Sequence, residues 1–308
     1  VSTVSKYEVS VIVLTFNHQE FILDTLGSIE SQDFDSIQVV IGDDASSDNT
    51  TSIIDDFSRE SRFDYVKLFN DKNQGITRNF NNCLRACTGK YIFLLGGDDL
   101  YLEGKIKLQY EYMEQDPDIA ISCHDAYVFD SCTGKTLLKY SDLFKIKDVS
   151  VNSLIVSGTF FTGCTPAIRR FENMPECYDQ IKFASDWLWY IELLIKSGGR
   201  IGYIDSVLSR YRRHSHNITS NKNHVTAYSE TRDSLIYVIE NYPEFKSVAI
   251  GALGERQFAF FLKGLLAYHW CWAVRLLMVS FKNNPFAFFS FLKLRCNALS
   301  FRLKRLWL

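Results

Sequence analysis

Two adjacent carboxylates, Asp98 and Asp99, follow an apolar run from Tyr91 to Leu95 and two glycines, Gly96 and Gly97. The run has the length of a strand, the glycines break it, and Glu103 to Glu114 then takes up a helical pattern. Ligands of open α/β sheets sit outside the carboxyl ends of the strands, which is where this pair would stand. Hard oxygen donors there suit Mg²⁺ or Mn²⁺, and such an ion most readily holds a diphosphate. An ordinary strand-to-helix turn uses the same residue types, so the pair takes its meaning from the elements around it.

Those elements alternate. Val9 to Leu14 reads as a continuous apolar strand, and His18 to Ser31 as a helix with Phe21, Ile22, Leu26 and Ile29 on one face. Ile37 to Ile41 is a second strand, ending on Gly42, Asp43 and Asp44, and the capping residues Ser46 to Thr50 open a helix through Phe57. Val66 to Phe69 is a third strand and Asn79 to Ala86 a helix. This order predicts a mostly parallel, Rossmann-like sheet with helices on both faces. Thr15 with Asn17, Asp43 with Asp44, and Asp98 with Asp99 would then converge on one rim. The chain has no GxGxxG after the first strand, no GxxxxGK[ST], no GxSxG elbow and no HExxH pair, which removes the main support for hydride transfer, P-loop, serine-hydrolase and zincin chemistry. Further on, Ile119 to Cys123 and Tyr127 to Asp130 read as two strands, with a polar turn at Ser131 to Lys135.

Composition predicts one large domain with an appendage. The 308 residues are 46% hydrophobic and carry a net charge of −2, enough apolar content for a core. The charge is unevenly spread. From Arg256 onward there are nine Lys or Arg residues and no Asp or Glu, so the first 255 residues carry 25 basic against 36 acidic groups. Val1 to Tyr7 is polar, without the apolar stretch of a secretory leader, and the eight cysteines show no paired CxxC spacing. A reducing, cytoplasmic setting is the expectation.

In order and spacing the chain resembles the inverting, GT-A type glycosyltransferases of family 2. The likeness runs through VSVIVLTFNHQEFILDTLGSIESQ, VVIGDDASSDNT, NQGITRNFNNCLRACTGKYIFLLGGDDLYLEGKIKLQ and GTFFTGCTPAIRR, then ASDWLWYIELLIKSGGRIGYIDSVLSRYRRHSHNIT. The resemblance implies that Thr15, Phe16, Asn17 and Glu20 line a nucleotide pocket and that Asp44 accepts a hydrogen bond from the base. A carboxylate accepts from the N3 proton of uracil and meets only an acceptor on cytosine, which favours a UDP-sugar over a CMP-sugar. It further implies that Arg78 and Asn79 meet diphosphate or sugar hydroxyls, that Asp98 and Asp99 serve nucleotide and metal, that His214 approaches the metal or diphosphate, and that Asp186 is the catalytic base. Two positions depart from the family pattern. Gly96 stands where many relatives have a third acid, and Ser185 where they have Glu. One carboxylate on the metal and the other on ribose, or acting through water, is then expected. The departures keep a second reading open, a catalytically silent nucleotide or sugar binder that scaffolds other enzymes.

The predicted organisation is a glycosyltransferase domain over 1–221, with a nucleotide-sugar half (1–115) and an acceptor half (116–221), and a helical region over 222–308. Helices are expected over Val225 to Asn241, Glu255 to Lys282 and from Pro285 onward. No stretch holds the roughly 18 uninterrupted apolar residues of a spanning helix. Mixed aromatics and cations over 256–308 predict an interfacial surface for anionic lipid, with packing against the catalytic domain or a second subunit as the alternative, and the acidic main body argues against nucleic acid. The implied setting is a peripheral protein on the inner face of the cell membrane, taking a glycan or lipid-linked acceptor.

Overall fold

The computed structural model describes residues 6–143, 149–181, 185–215, 217, 224–266 and 270–286. The chain divides into two compact units, one of Val1–Val151 with Thr159–Asn221 and the other of Asn152–Gly158 with Lys222–Leu308.

The first unit is built on a sheet of order β3-β2-β1-β4-β8-β6-β9-β5, with β7 paired to β6. Strands β1 (Val9–Thr15), β2 (Ile37–Asp43), β3 (Asp64–Phe69) and β4 (Tyr91–Gly96) run parallel. Helices α1 (Ile22–Glu30), α2 (Thr50–Glu60) and α3 (Ile76–Ala86) alternate with them. Every residue of β2 is buried, as is nearly all of β1 and β4, which is why the sequence there is almost wholly apolar, interrupted by Ser10 and Gln38, which bond to each other at 2.6 Å. Ile22, Leu26 and Ile29 of α1 join this core. Beyond β4 the sheet becomes mixed. The short β5 (Leu100–Tyr101) and α4 (Lys105–Gln115) precede β6 (Ile119–Asp130), β7 (Thr136–Lys139), β8 (Ala167–Arg169), α6 (Ser185–Ser197) and β9 (Arg200–Arg213), while α5 (Val151–Ser157) lies almost wholly in the second unit. Strand β8 is antiparallel to both β4 and β6, and β6 is parallel to β9.

Three elements differ from expectation. The first helix starts at Ile22 rather than His18, because Asn17 has a left-handed φ of 55° and residues 17–19 are committed to the 46–50 loop. Asn17 Oδ1 accepts from Ser47 N at 2.8 Å, and Gln19 Oε1 from Asn49 N at 3.0 Å. The two strands expected over 119–130 are one. His124 and Asp125 are each 2% exposed, and shifts of register against β9 between 124 and 126 let polar residues pass through a buried strand.

Lys105, opening α4, is fully buried. Its Nζ donates to Gln109 Oε1 at 2.5 Å and lies 4.2 and 4.7 Å from the ring centroids of Tyr101 and Phe93. Burial pulls its pKa down to about 7.

The third difference is in the second unit, where the helix expected over 255–282 is two, α8 (Lys246–Leu266) and α9 (Trp270–Asn283), preceded by α7 (His224–Asn241). The helix expected from Pro285 onward lies outside the described residues after Phe286. Helices α8 and α9 pack closely: Ser280 Oγ donates to Gly254 O at 2.8 Å, and Asn283 Nδ2 to Gln257 Oε1 at 2.9 Å. A Cβ on Gly254 would stand 2.6 Å from Asn284 Cβ and 2.9 Å from its backbone nitrogen, whereas one on Gly251 meets nothing within 4 Å. Gly254→Val should therefore cost about 2 kcal/mol by overpacking. Gly251→Ala should gain up to about 1 kcal/mol from helix propensity. Urea unfolding of the two variants measures both, and equal behaviour would contradict the close approach.

Candidate active site

The parallel strands deliver their ends side by side. Thr15 is in register with Asp43, and Leu14 with Gly96; Asp44 N donates to Thr15 O at 3.0 Å and Gly97 N to Leu14 O at 2.8 Å. Thr15 Oγ1 donates to Asp43 Oδ2 at 2.6 Å, and Asp43 also accepts the backbone and hydroxyl of Ser46. Thr15 and Asp43 thus tie the first two strand ends together. Phe16, next along, is 45% exposed and offers a ring face at the rim.

Asp44 is 5% exposed and fastens the loop before α3. Its Oδ1 accepts from Gln74 N (2.7 Å) and Asn70 Nδ2 (3.1 Å), its Oδ2 from Gly75 N (2.8 Å). A carboxylate offers roughly four acceptor sites, so one remains for an outside N–H donor. Asn79, expected at the donor, is 2% exposed and spends its amide inside the fold, donating to Gly42 O at 2.8 Å. Arg78 is exposed and pairs with Asp179 at 3.0 Å. Asn17, as described, braces the 46–50 loop.

Asp98 and Asp99 face opposite ways. Asp98 Oδ2 meets His214 Nε2 at 2.8 Å and accepts from Asn217 Nδ2 at 3.1 Å. Burial opposes its ionisation, but the hydrogen bond from His214 and the charges of His18 and His214 outweigh it and leave its pKa below the usual carboxylate range. Asp99 is 3% exposed and turned inward, its Oδ1 accepting from Arg212 N at 2.8 Å; burial, and then the charge of Asp98, hold its pKa well above the usual range. Arg212 is clamped between Asp98 O (2.7 Å) and Asp24 Oδ2 (3.2 Å), with its guanidinium over Phe21 and Phe129.

Sequence reasoning passed over His18 and Arg212. His18 lies 6.4 Å, ring to ring, from His214, and a Cβ on Gly97 would stand 2.6 Å from its Nδ1. Its position directly after TFN, facing a glycine pair, was the available signal. Arg212 sits in a run of arginines with no periodicity to single one out. Beside His214 a cleft of about 400 Å³ is lined by Glu20, Phe21, Asp130, Ser131, Cys132, Arg213 and Ser215. Glu20 is thus beside His214.

Asp186 occupies the first turn of α6, its Oδ1 accepting its neighbour Trp187 N at 2.8 Å. Burial of the carboxyl raises its pKa above the ordinary value, against the pull of that backbone hydrogen bond. A carboxylate raised in this way is a stronger proton acceptor than an ordinary one.

The fold has solved counterparts. S. aureus TarS 1-349 in complex with UDP-GlcNAc superposes with a TM-score of 0.69 at 20% identity, covering 90% of this chain and 82% of that TarS piece. The mannosyltransferase PcManGT from Pyrobaculum calidifontis, in complex with GDP-Man and Mn²⁺, gives a TM-score of 0.61 at 18% identity, covering 97% and 87%. Among characterised sequences, the Campylobacter jejuni GalNAc(5)-diNAcBac-PP-undecaprenol beta-1,3-glucosyltransferase is 31% identical over 169 residues, half of each chain. The chain spans 50 to 60% of the length of this relative and of mycobacterial ones that it matches. The Glycosyl transferase family 2 profile matches residues 10–174, more than half of the sequence. On that match, with the GT-A sheet and its acidic rim, the chain belongs to glycosyl transferase family 2.

Proposed function

We propose that the protein is an inverting glycosyltransferase that moves a sugar from a nucleotide donor, UDP-linked by preference, to a hydroxyl of a glycan or lipid-linked saccharide. The observation that carries this is the pairing of Asp98 with His214 at the end of β4, two strands from Asp44 at the end of β2. Asp44 has an acceptor site to spare for the N3 proton of uracil, and Phe16 a face for the base. The undecaprenol in the name of the C. jejuni relative supports a lipid-linked acceptor.

A divalent ion fits this rim. Asp98 Oδ2 and His214 Nε2 are oxygen and nitrogen donors that Mn²⁺ accepts, Mg²⁺ preferring the carboxylate. Among the described residues no three His, Cys, Asp or Glu side chains converge on one point, so Asp98 and His214 would hold the ion with phosphate and water as its other ligands. Bound there, it would neutralise charge growing on the departing nucleoside diphosphate. Asp186 takes the proton of the acceptor hydroxyl as that oxygen attacks the anomeric carbon opposite the diphosphate, which inverts the centre. Arg212 holds this turn, its Nε donating to Asp98 O and its backbone N to Asp99 Oδ1.

Calorimetric titration with UDP, GDP, CDP and ADP, with and without Mn²⁺, tests the donor site. UDP binding that needs Mn²⁺ is the expected result, followed by turnover of one UDP-sugar in a panel. Preference for another nucleotide would overturn the assignment of Asp44, and no nucleotide binding would favour a scaffold.

A further inference from the structure

Helix α9 presents two unlike faces. Leu276 and Ser280 are buried, 6% and 0% exposed, on the side where Ser280 bonds to Gly254 of α8. On the other side Met278, Phe281 and Lys282 fall three and four residues apart and form one stripe. Met278 is 64% exposed and Phe281 47%, and Phe286, just past the helix, is 70% exposed. A helix face turned to water is normally polar; α2 obeys this, with Ser52, Asp56, Arg59 and Glu60 outward. Large apolar side chains grouped beside a cation mark a contact surface instead.

The charge of the surrounding sequence selects the partner. The stripe lies within the stretch from Arg256 onward that has nine basic residues and no acidic one. Arg256 is committed to the Val156 carbonyl at 3.0 Å, whereas Lys282 is exposed on the stripe itself. A polyanionic surface with an apolar layer beneath it satisfies both halves of this chemistry. Nucleic acid offers the charge but no layer for Met278 and Phe281. No helix among the described residues is long and apolar enough to cross a membrane, so the fitting arrangement lies along an interface.

We infer that the Met278–Phe281–Lys282 stripe of α9, with Phe286, docks on an anionic lipid bilayer. The apolar side chains enter the acyl boundary and Lys282 meets headgroup phosphates. The inference adds a surface to the sugar-transfer reading and stands independently of it.

Co-sedimentation of the full chain with vesicles tests it, using phosphatidylcholine alone and phosphatidylcholine mixed with phosphatidylglycerol. Pelleting is expected with the mixed vesicles only, and it should fall as salt is raised. Met278→Asn combined with Phe281→Asn should weaken it about tenfold or more. Urea unfolding should show the double variant as stable as wild type, since both side chains face outward. Lys282→Glu provides a second, purely surface reading and should also weaken binding. Equal pelleting of wild type and all variants, or no preference for the anionic vesicles, would overturn the inference. A lipid-free dimer that the double variant dissociates would overturn it too, by giving the face to a second copy. Nucleotide titration of the same preparations separates failure here from failure of the sugar-transfer reading.

Discussion

Asp186→Asn is expected to slow sugar transfer by about 10³-fold, within the range that a positioned general base contributes, while leaving nucleotide affinity within about twofold of wild type, because only the proton acceptor is lost. The substitution separates two roles that the geometry superimposes. Asp186 Oδ1 accepts Trp187 N in the first turn of α6, and Asn serves a helix N-terminus about as well as Asp. Stability should therefore hold while turnover falls. In wild type the rate should drop as pH falls through the raised pKa of this carboxyl, since the base must be ionised, and that limb should vanish with Asn. Turnover within tenfold of wild type would end the assignment of Asp186 as the base.

Asp98→Asn should produce the second large effect. The amide retains an oxygen for Asn217 Nδ2 but not the charge that favours a divalent ion. In the presence of Mn²⁺, affinity for a nucleoside diphosphate should fall by about 10²-fold, matching loss of an electrostatic interaction of roughly 3 kcal/mol in a partly buried site. Without Mn²⁺ the two proteins should bind alike, and a variant that kept the full metal-dependent affinity would remove Asp98 from the site. Asp99 is a poorer probe, because its buried carboxylate accepts Arg212 N and its removal would disturb the sheet as well as the rim.

How much of this was legible depends on burial. The parallel strands β1, β2 and β4 announce themselves because both faces are covered and nearly every position before the rim is apolar, Ser10 and Gln38 being buried as a hydrogen-bonded pair. The same continuity puts Asp44 and Asp98 at strand ends without any contact being known. Strand β9 gives no such signal: half-buried, with Asp205, Ser206 and four of its last five residues polar, it is held by pairing on β6 rather than by an apolar run. His124 and Asp125 hide the continuity of β6 for the same reason. The boundary between α8 and α9 has no proline to mark it, and the close fit of Gly254 against Ser280 and Asn284 is a tertiary fact that no periodicity announces. Asn79 shows the limit at the site itself, since position in a motif does not say whether an amide faces a ligand or a neighbouring carbonyl.

Lys105 makes the fold a reservoir of unequal proton affinity. Free in an unfolded chain its amine keeps a proton up to about pH 10.4, whereas in the folded protein it releases that proton near pH 7. Below about pH 7 both states hold the proton and stability is indifferent to it. Between there and about pH 10.4 only the unfolded chain holds it, so each unit of rising pH favours the fold by about 1.4 kcal/mol. The buried amine beside Tyr101 and Phe93 thus ties the strength of the sheet beneath the Asp98 turn to alkalinity. Lys105→Met, apolar and of similar length, should flatten that arm of the stability curve.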